Sequence, residues 1–545
     1  MATRGADALV QTLARAGVRR LFTLSGNHIM PVYDAVLDAG IELIHTRHEA
    51  AAVHMADACA RLTGEPAVAL VTGGPGHANA VAALYTALMA ESPVVLLSGH
   101  APLAQLGLGA FQEVRQAEVA EPLAKASWVA EGAATLAAET ARAIRIAQAG
   151  RPGPVHLSLP TDALESVVDA AAAAEDGGFA AEPLRLAEGK AAAMLDRLRQ
   201  AQRPLILVGP QGTTRRGRDG CSELESMTAI PVITTESPRG INDPALGAFA
   251  QVLAQADCVL LLAKRLDFTL RFGRPPAFAA DCTFLQIDAE QFELERSDDS
   301  IGDRLGATAI ADFDSALGDL LRASNHVRPI HRQWLDQVRA ALAYRPSSWA
   351  KASAPAGRLH PAQVCRPLQA LLDRHPESVL VSDGGEFGQW AQACLQAPNR
   401  VINGTAGAIG AGLPFALGAR CAKPNAPIIA LSGDGSIGFH IAELDTAIRH
   451  ALPCVVVVGN DSRWNAEYQI QLNDYGPDRL IGCELRPLRY DRIAEAFGAH
   501  GEHVTDPAQI GAAVERAIAS RRPALVDATI DGVAAPVVRR RGASA

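Results

Sequence analysis

The sequence contains no C-x-x-C pair. Its nine cysteines (59, 221, 258, 282, 365, 394, 421, 454 and 483) stand singly. That excludes a zinc ribbon and a disulfide scaffold, and fits a reducing compartment. Long apolar runs are missing too. Residues 453–459 form one of the longest, far short of the ~20 apolar residues that a membrane span needs. The opening Met-Ala-Thr-Arg-Gly-Ala-Asp has no apolar signal-peptide core, so a cytoplasmic protein without a membrane partner is expected. An excess of basic residues is also absent. Fifty-nine acidic residues outnumber 50 basic ones, for a net charge of −9. A chain with that balance is not a general nucleic-acid binder. Hydrophobic residues make up 48% and charged residues 20%, which excludes disorder and allows a large core. At roughly 150 residues per domain, the chain is long enough for three or four domains.

What is present is a recurring pattern: a short apolar run, a Gly-rich or polar turn, then an Ala-rich helical stretch. Ala67–Val71 (AVALV), 94–97 (VVLL), Pro204–Val208 (PLILV), Cys258–Leu262 (CVLLL), 428–431 (IIAL) and 454–458 (CVVVV) are such runs. Continuous apolar residues, rather than alternation, mark strands buried on both faces of a parallel sheet. The pattern predicts an α/β fold of three consecutive domains, each a mainly parallel sheet flanked by helices. Two stretches break it: 170–178 (AAAAAEDGG), continuing to about 185, and 345–357 (RPSSWAKASAPAG). Both read as linkers. They divide the chain into 1–165, 185–325 and 355–535. The basic tail Arg539-Arg540-Arg541 reads as a frayed terminus, with a lid over an anionic ligand as the other reading.

The strongest chemical signal follows the strand at 428–431. Gly433-Asp434-Gly435-Ser436-Ile437-Gly438 fits G-x-G-x-x-G, the dinucleotide fingerprint. Asp434, however, lies between the two leading glycines, where a pyrophosphate makes its closest approach. A carboxylate there repels phosphate unless a metal lies between them. A second carboxylate, Asp461, stands 27 residues on (461 − 434) at the end of the next strand. In a parallel sheet both face the same C-terminal crevice. Two carboxylates and a diphosphate supply the hard oxygen ligands that Mg²⁺ takes. A tight turn explains Gly433 and Gly435 but not the pair of acids. Dinucleotide binding, with Asp461 on a ribose, stays as the alternative.

Gly-Asp-Gly, about two dozen residues, then Asn460-Asp461 resembles the signature of the thiamine-diphosphate enzymes. The family's second Asn is here Asp461, which adds a negative charge beside the diphosphate and still suits Mg²⁺. The resemblance implies Mg²⁺ on Asp434, Asp461 and the Arg463 carbonyl. It places Gly433, Gly435 and Ser436 at the diphosphate. Gly404-Thr-Ala-Gly407-Ala-Ile409-Gly410-Ala-Gly412-Leu-Pro414 resembles the aminopyrimidine loop, with Gly407 and Ile409 on the ring and Ile409 as the wedge that bends the cofactor. Taken alone, that run reads as a helix packing face.

His45-Thr-Arg47-His48-Glu49-Ala-Ala-Ala-Val-His54 looks metal-like but is not H-E-x-x-H. His48 and His54 are six apart, about 240° around a helix, so one face cannot hold a metal between them. These histidines read as structural or solvated. Glu49 opens an apolar helical stretch, where a carboxylate suits the helix N-terminus. In the family such a glutamate bonds N1′ of the aminopyrimidine and comes from a neighbouring subunit. A homodimer or homotetramer with active sites between subunits is therefore implied. Ala58-Cys59 replaces the usual Gly-Tyr downstream, a change in packing rather than in the acid. Thr72-Gly-Gly-Pro75-Gly76-His77-Ala-Asn79 resembles the G-P-G-x-x-N loop, which implicates Pro75 and Asn79.

Three elements are expected near the reacting carbon. Ser25-Gly-Asn27-His28 resembles the benzaldehyde lyase pattern, with His28 in acid–base steps. Ala110-Phe111-Gln112-Glu113 resembles the A-F-Q-E of acetolactate synthases, with Gln112 on substrate. Trp464, Glu467 and Tyr468 come after the metal loop. Glu467 reads either as a surface carboxylate or as a second proton-transfer group, since pyruvate decarboxylases carry Glu in that place. In the central unit, Gly209-Pro-Gln-Gly212 and Lys264-Arg265 sit where relatives hold FAD, ADP or nothing, and the sequence supports no nucleotide.

The resemblance spans nearly the whole chain and points to the acetolactate synthase, benzaldehyde lyase and 2-hydroxyacyl-CoA lyase branch. It implies pyrimidine-binding, central and diphosphate-binding domains. The expected activity is that of a thiamine-diphosphate- and Mg-dependent C–C lyase, carboligase or decarboxylase. Its substrate would be a 2-oxo acid or 2-hydroxy carbonyl compound, handled through an enamine. Acetolactate synthase is the alternative and a dinucleotide oxidoreductase a remote one. A non-catalytic homologue would be expected to lack Glu49.

Overall fold

Each continuous apolar run becomes a central strand. The computed structural model describes residues 3–168, 178–324 and 330–540. Within them lie three sheets whose strands all run parallel, plus one short antiparallel pair, Thr3–Arg4 with Val167–Val168. The chain forms three α/β domains. Ala67–Val71, Pro204–Val208, Cys258–Leu262 and Val455–Asn460 are buried along their whole length. Helices therefore cover both faces of their sheets, as the apolar runs require. Three expected strands shift at their ends. The run at 94–97 extends to His100, that at 428–431 extends to Gly433, and that at 454–458 becomes Val455–Asn460.

Contacts divide the described residues into two compact units. One contains residues 3–168 and 178–182 together with 413–425 and 440–454; the other holds most of the rest. In the first unit, six strands stand in the order Glu42–His45, Arg20–Thr23, Ala67–Val71, Val94–His100, Val155–Pro160, Ala126–Val129. Counted within the sheet, that is 2-1-3-4-6-5. Leu9, Leu13, Leu21, Ile29 and Leu70 fill the core on one side. Each such buried side chain contributes about 2 kcal/mol relative to exposure. The later segments belong to this unit through specific contacts. His450 Nε2 accepts from the His45 amide at 2.9 Å, and the Arg449 guanidinium donates to the His45 carbonyl at 2.7 Å. A Cβ on Gly418 would lie 2.3 Å from the Met55 carbonyl, so only glycine lets those two helices meet.

The second unit holds two sheets. The C-terminal one runs Asn399–Ile402, Val379–Asp383, Ile428–Gly433, Val455–Asn460, Ala524–Thr529, His500–Val504, again 2-1-3-4-6-5. The central sheet runs Val232–Thr234, Pro204–Val208, Cys258–Leu262, Thr283–Asp288, Leu305–Ile310, the order 2-1-3-4-5. In each of the three parallel sheets the strand order reverses between the first and third strands, and ligands of open α/β sheets bind outside the strand ends at such a point.

The linker expected over 170–178 lies outside the described residues except for Gly178. The linker expected over 345–357 is a pinned connection instead. Ser347–Ala350 is a helical turn, Trp349 packs edge-on against Trp390 at 5.2 Å, and Arg345 donates to the carbonyls of Ala245 and Ala393. Its Pro/Ser composition concealed those side-chain anchors. Arg540 is not frayed either. Its amide donates to Gln251 Oε1, and its guanidinium lies over the Tyr344 ring at 5.2 Å. Arg541 lies outside the described residues.

Candidate active site

The strand Ile428–Gly433 ends directly at Asp434, which opens a one-turn helix, Asp434–Ile437. Its neighbour Val455–Asn460 ends directly before Asp461, and the two strands are in register with Gly433 opposite Gly459. The two acids thus stand at the same end of adjacent parallel strands. Asp434 is buried, and its Oδ2 has no hydrogen-bond partner. Burial pushes its carboxyl up to about 8, and the Asp461 carboxylate pushes the same way. Burial likewise raises Asp461 to about 6, against the pull of the Arg463 amide, which donates to Oδ1 at 3.1 Å. Two adjacent acids, one buried and one half-buried, are both held above the ordinary carboxylate range, and their donor set fits a cation. The Asp434 oxygen without a hydrogen-bond partner is free to take a metal.

Around this pair is a cavity of about 330 Å³. Gly433, Asp434, Gly435 and Ser436 form one wall; Asp461, Arg463, Trp464 and Glu467 form another; Gly407 and Ile409 complete it. Glycine is required at two of these places. Gly384 has φ +50°, and a Cβ there would come within 2.4 Å of Ile409 Cγ2. A Cβ on Gly435 would lie 2.6 Å from the Trp464 ring. The space kept open suits a flat ring and a diphosphate.

Sequence reasoning missed several residues here. Asp383 ends the strand Val379–Asp383 and is buried. It accepts from the Gly410 and Gly412 amides at 3.0 Å and from the Ser432 hydroxyl at 3.2 Å, so it ties down the loop carrying Ile409. Burial raises its carboxyl to about 6. Glu386 lies in the first turn of the next helix, and Ser237, Pro238 and Arg239 reach the cavity from the central domain. Asn460 does not point at the acids. Its amide donates to buried Asp527 at 3.0 Å and to the Leu488 carbonyl. A carboxylate ending each strand was the only signal available for Asp383.

The first unit gathers a second set of residues. Glu49 opens the helix Glu49–Thr63, and His48 caps it by accepting from the Ala50 amide. Glu49 is buried, and Asn79 donates to its Oε2 at 3.0 Å. Pro75 is the first residue of the following helix, where its missing N–H costs nothing. His28 Nδ1 lies 3.2 Å from the Thr72 hydroxyl, and the His28 ring stacks on Phe111 at 6.1 Å. Burial holds His28 below the usual imidazole range. Gln112 sits beside Phe111 at φ +57°, held where Gly74 leaves room for its backbone. His48 and His54 each approach His440, with ring centroids 5.6 and 5.7 Å away.

The three α/β domains match three segments of one family. Residues 3–119 match the thiamine pyrophosphate enzyme N-terminal TPP binding domain, 191–303 the central domain and 383–528 the C-terminal TPP binding domain. The chain belongs to the thiamine pyrophosphate enzymes. It is 32% identical over 540 residues to a probable acetolactate synthase of Mycobacterium bovis, covering 96% of this chain and 95% of the relative. It is 28% identical to a 2-hydroxyacyl-CoA lyase of Oryza sativa subsp. japonica, covering 97% and 96%. It is 29% identical to the human 2-hydroxyacyl-CoA lyase 2, covering 91% and 84%. The protein is a thiamine-diphosphate-dependent enzyme, a lyase or transferase. No helix among its described residues is long and apolar enough to cross a membrane.

In this thiamine pyrophosphate enzyme the central domain lacks a comparable constellation among its described residues. Arg265 is paired with Glu293 at 3.0 Å, and Lys264 donates to the Thr269 hydroxyl at 2.8 Å. Gly209 is needed for packing, since a Cβ would lie 2.2 Å from the Ala263 carbonyl.

Proposed function

We propose that this enzyme breaks or makes a C–C bond next to a carbonyl, in a 2-hydroxy carbonyl compound or 2-oxo acid, with Mg²⁺ as a second cofactor. The observation that carries the reading is the Asp434–Asp461 pair with its unbonded buried oxygen. Asp434, Asp461 and the Arg463 carbonyl would hold the metal. Gly433, Gly435 and Ser436 would face the diphosphate, and Ile409, Gly407 and Trp464 the rings. When bound, thiamine diphosphate supplies the electron sink for the carbon beside the carbonyl. Glu49 would share a proton with a ring nitrogen, and Asn79 fixes the orientation of its carboxyl. His28 would take or give a proton near the reacting carbonyl, its imidazole kept neutral by burial. Gln112 would hydrogen-bond the substrate.

His28 favours the lyase side of the branch. Gln112, in Ala110-Phe111-Gln112-Glu113, keeps the acetolactate synthase reading as the second one. Neither FAD nor ADP is part of the proposal. The working form is a homodimer or homotetramer in which a neighbouring subunit brings Glu49, and nine unpaired thiols suit the cytoplasm. The test is a panel of pyruvate, benzoin and a 2-hydroxyacyl-CoA, offered to enzyme loaded with thiamine diphosphate and Mg²⁺. Aldehyde release from a 2-hydroxy compound supports the lyase reading, and acetolactate from pyruvate supports the second. Turnover of none of the three would overturn both.

A further inference from the structure

We propose that Gln116 is the positioning residue for both His28 and Gln112, one buried amide that sets the proton-transfer group and the substrate-binding group relative to each other. The inference rests on the reading of those two residues as reaction-site groups. Between Ala101 and Ala120, Gln116 is the one buried residue. Glutamine is ordinarily exposed, and an apolar side chain would anchor such a segment without a polar group to satisfy. Gln116 is fully buried and satisfied on both sides of its amide. Its Oε1 accepts from the Gly74 amide at 2.8 Å. Its Nε2 donates to the Gly99 carbonyl at 3.1 Å and to the Ser158 hydroxyl at 2.9 Å. One acceptor and two donor hydrogens are what a primary amide offers, and a carboxylate or a thioether cannot replace them.

The two backbone partners of Gln116 are the places on which the reacting groups rest. A Cβ on Gly99 would lie 2.5 Å from His28 Cβ, so His28 sits directly against that strand end. A Cβ on Gly74 would lie 2.7 Å from Gln112 Cβ, so Gln112 sits directly against that turn. Turn and strand end also meet each other, since a Cβ on Gly73 would come within 2.6 Å of the Gly99 carbonyl. A shift of the Gln116 amide therefore reaches both groups at once.

The segment needs such a tie. Gln112 holds φ +57°, a conformation that a non-glycine residue keeps only where its surroundings impose it. Glu113 shapes the loop from within, accepting from the Gly107, Gly109 and Ala110 amides at 2.5, 3.0 and 2.9 Å. Those bonds stay inside the loop. The Leu103 amide on Asp162 and the Ser127 hydroxyl on the Ala117 carbonyl fasten its two ends. Gln116, four residues after Gln112, joins the segment to Gly74 and Gly99 together.

Hydrogen exchange of the metal-free, cofactor-free protein tests the tie itself. Gln116→Met keeps the length of the side chain without its hydrogen bonds. The Gly74 amide should then lose its protection, while the strand Val455–Asn460 keeps its own. In the loaded enzyme, Gln116→Met should lower kcat about 100-fold, the effect of a misplacement of about 1 Å. Measured against it, Gln116→Glu should regain activity as pH falls, because a protonated carboxyl again accepts from Gly74 and donates to Gly99. Lost packing alone would not respond to pH. In a His28→Ala and Gln112→Ala background, Gln116→Met should cost little more, since residues that act as a unit are not additive. Protection retained at Gly74 in Gln116→Met, or the full loss repeated in that background, overturns the proposal. Exchange is read without cofactor or substrate, so turnover of none of the panel compounds would count against the functional reading alone.

Discussion

The central and C-terminal sheets share a strand order through their first four strands and differ in the turns at the strand ends. After the third strand of the C-terminal sheet comes Asp434; after the third strand of the central sheet come Ala263, Lys264 and Arg265. After the first strand, one has Gly384 and Gly385 around an open cavity, and the other has Gly209 packed on a backbone carbonyl. In the C-terminal sheet the Asp434 carboxyl has an oxygen without an internal partner, and both acids are raised above their ordinary range. In the central sheet, Arg265 is paired with Glu293. The fold supplies a crevice in both; unsatisfied chemistry turns one of them into a site. The first unit carries the same order a third time, and Glu49, His28 and Gln112 lie within it.

The largest expected effect is in the first unit. Glu49→Gln should lower turnover about 10²–10⁴-fold while calorimetric binding of thiamine diphosphate persists. Loss of binding instead would make Glu49 a structural residue.

Acid should separate the two units. His77 is buried, and burial lowers its pKa to about 4 from the ordinary 6.5. A histidine held neutral in the fold stabilises it fully above 6.5, and that contribution is lost as pH falls toward 4. The shift corresponds to roughly 3 kcal/mol. His77→Gln should therefore reduce the fall in melting temperature between pH 7 and 4.5. An equal fall in wild type and variant contradicts the assignment.

Gly384→Ala forces a left-handed residue against Ile409 and should cost about 1–3 kcal/mol, as overpacking does, and weaken thiamine diphosphate binding. Unchanged binding and melting temperature in Gly384→Ala would show that the turn tolerates a side chain. The smallest effect belongs to the central sheet. Arg265→Ala should leave thiamine diphosphate binding unchanged in calorimetry, because Arg265 serves Glu293. Weakened binding would bring the central crevice into the site.

Strands were legible because parallel sheets need continuous apolar runs. The pair of acids was legible because Asp434 and Asp461 each come directly after a strand. Glu386 and Arg239 were not, since Arg239 stands more than 140 residues before Glu386 and neither carries a local pattern; Asp383 had only its place at a strand end. The inclusion of 413–425 and 440–454 in the first unit was hidden for the same reason. The anchoring of 345–357 and of Arg540 depends on side-chain partners that composition does not reveal.

The most direct test is calorimetric titration of the metal-free protein with thiamine diphosphate, with and without Mg²⁺, in wild type and Asp434→Ala. Binding should require Mg²⁺ and disappear in the variant. Tight binding without Mg²⁺, or binding undiminished in Asp434→Ala, would contradict the metal-bridged diphosphate.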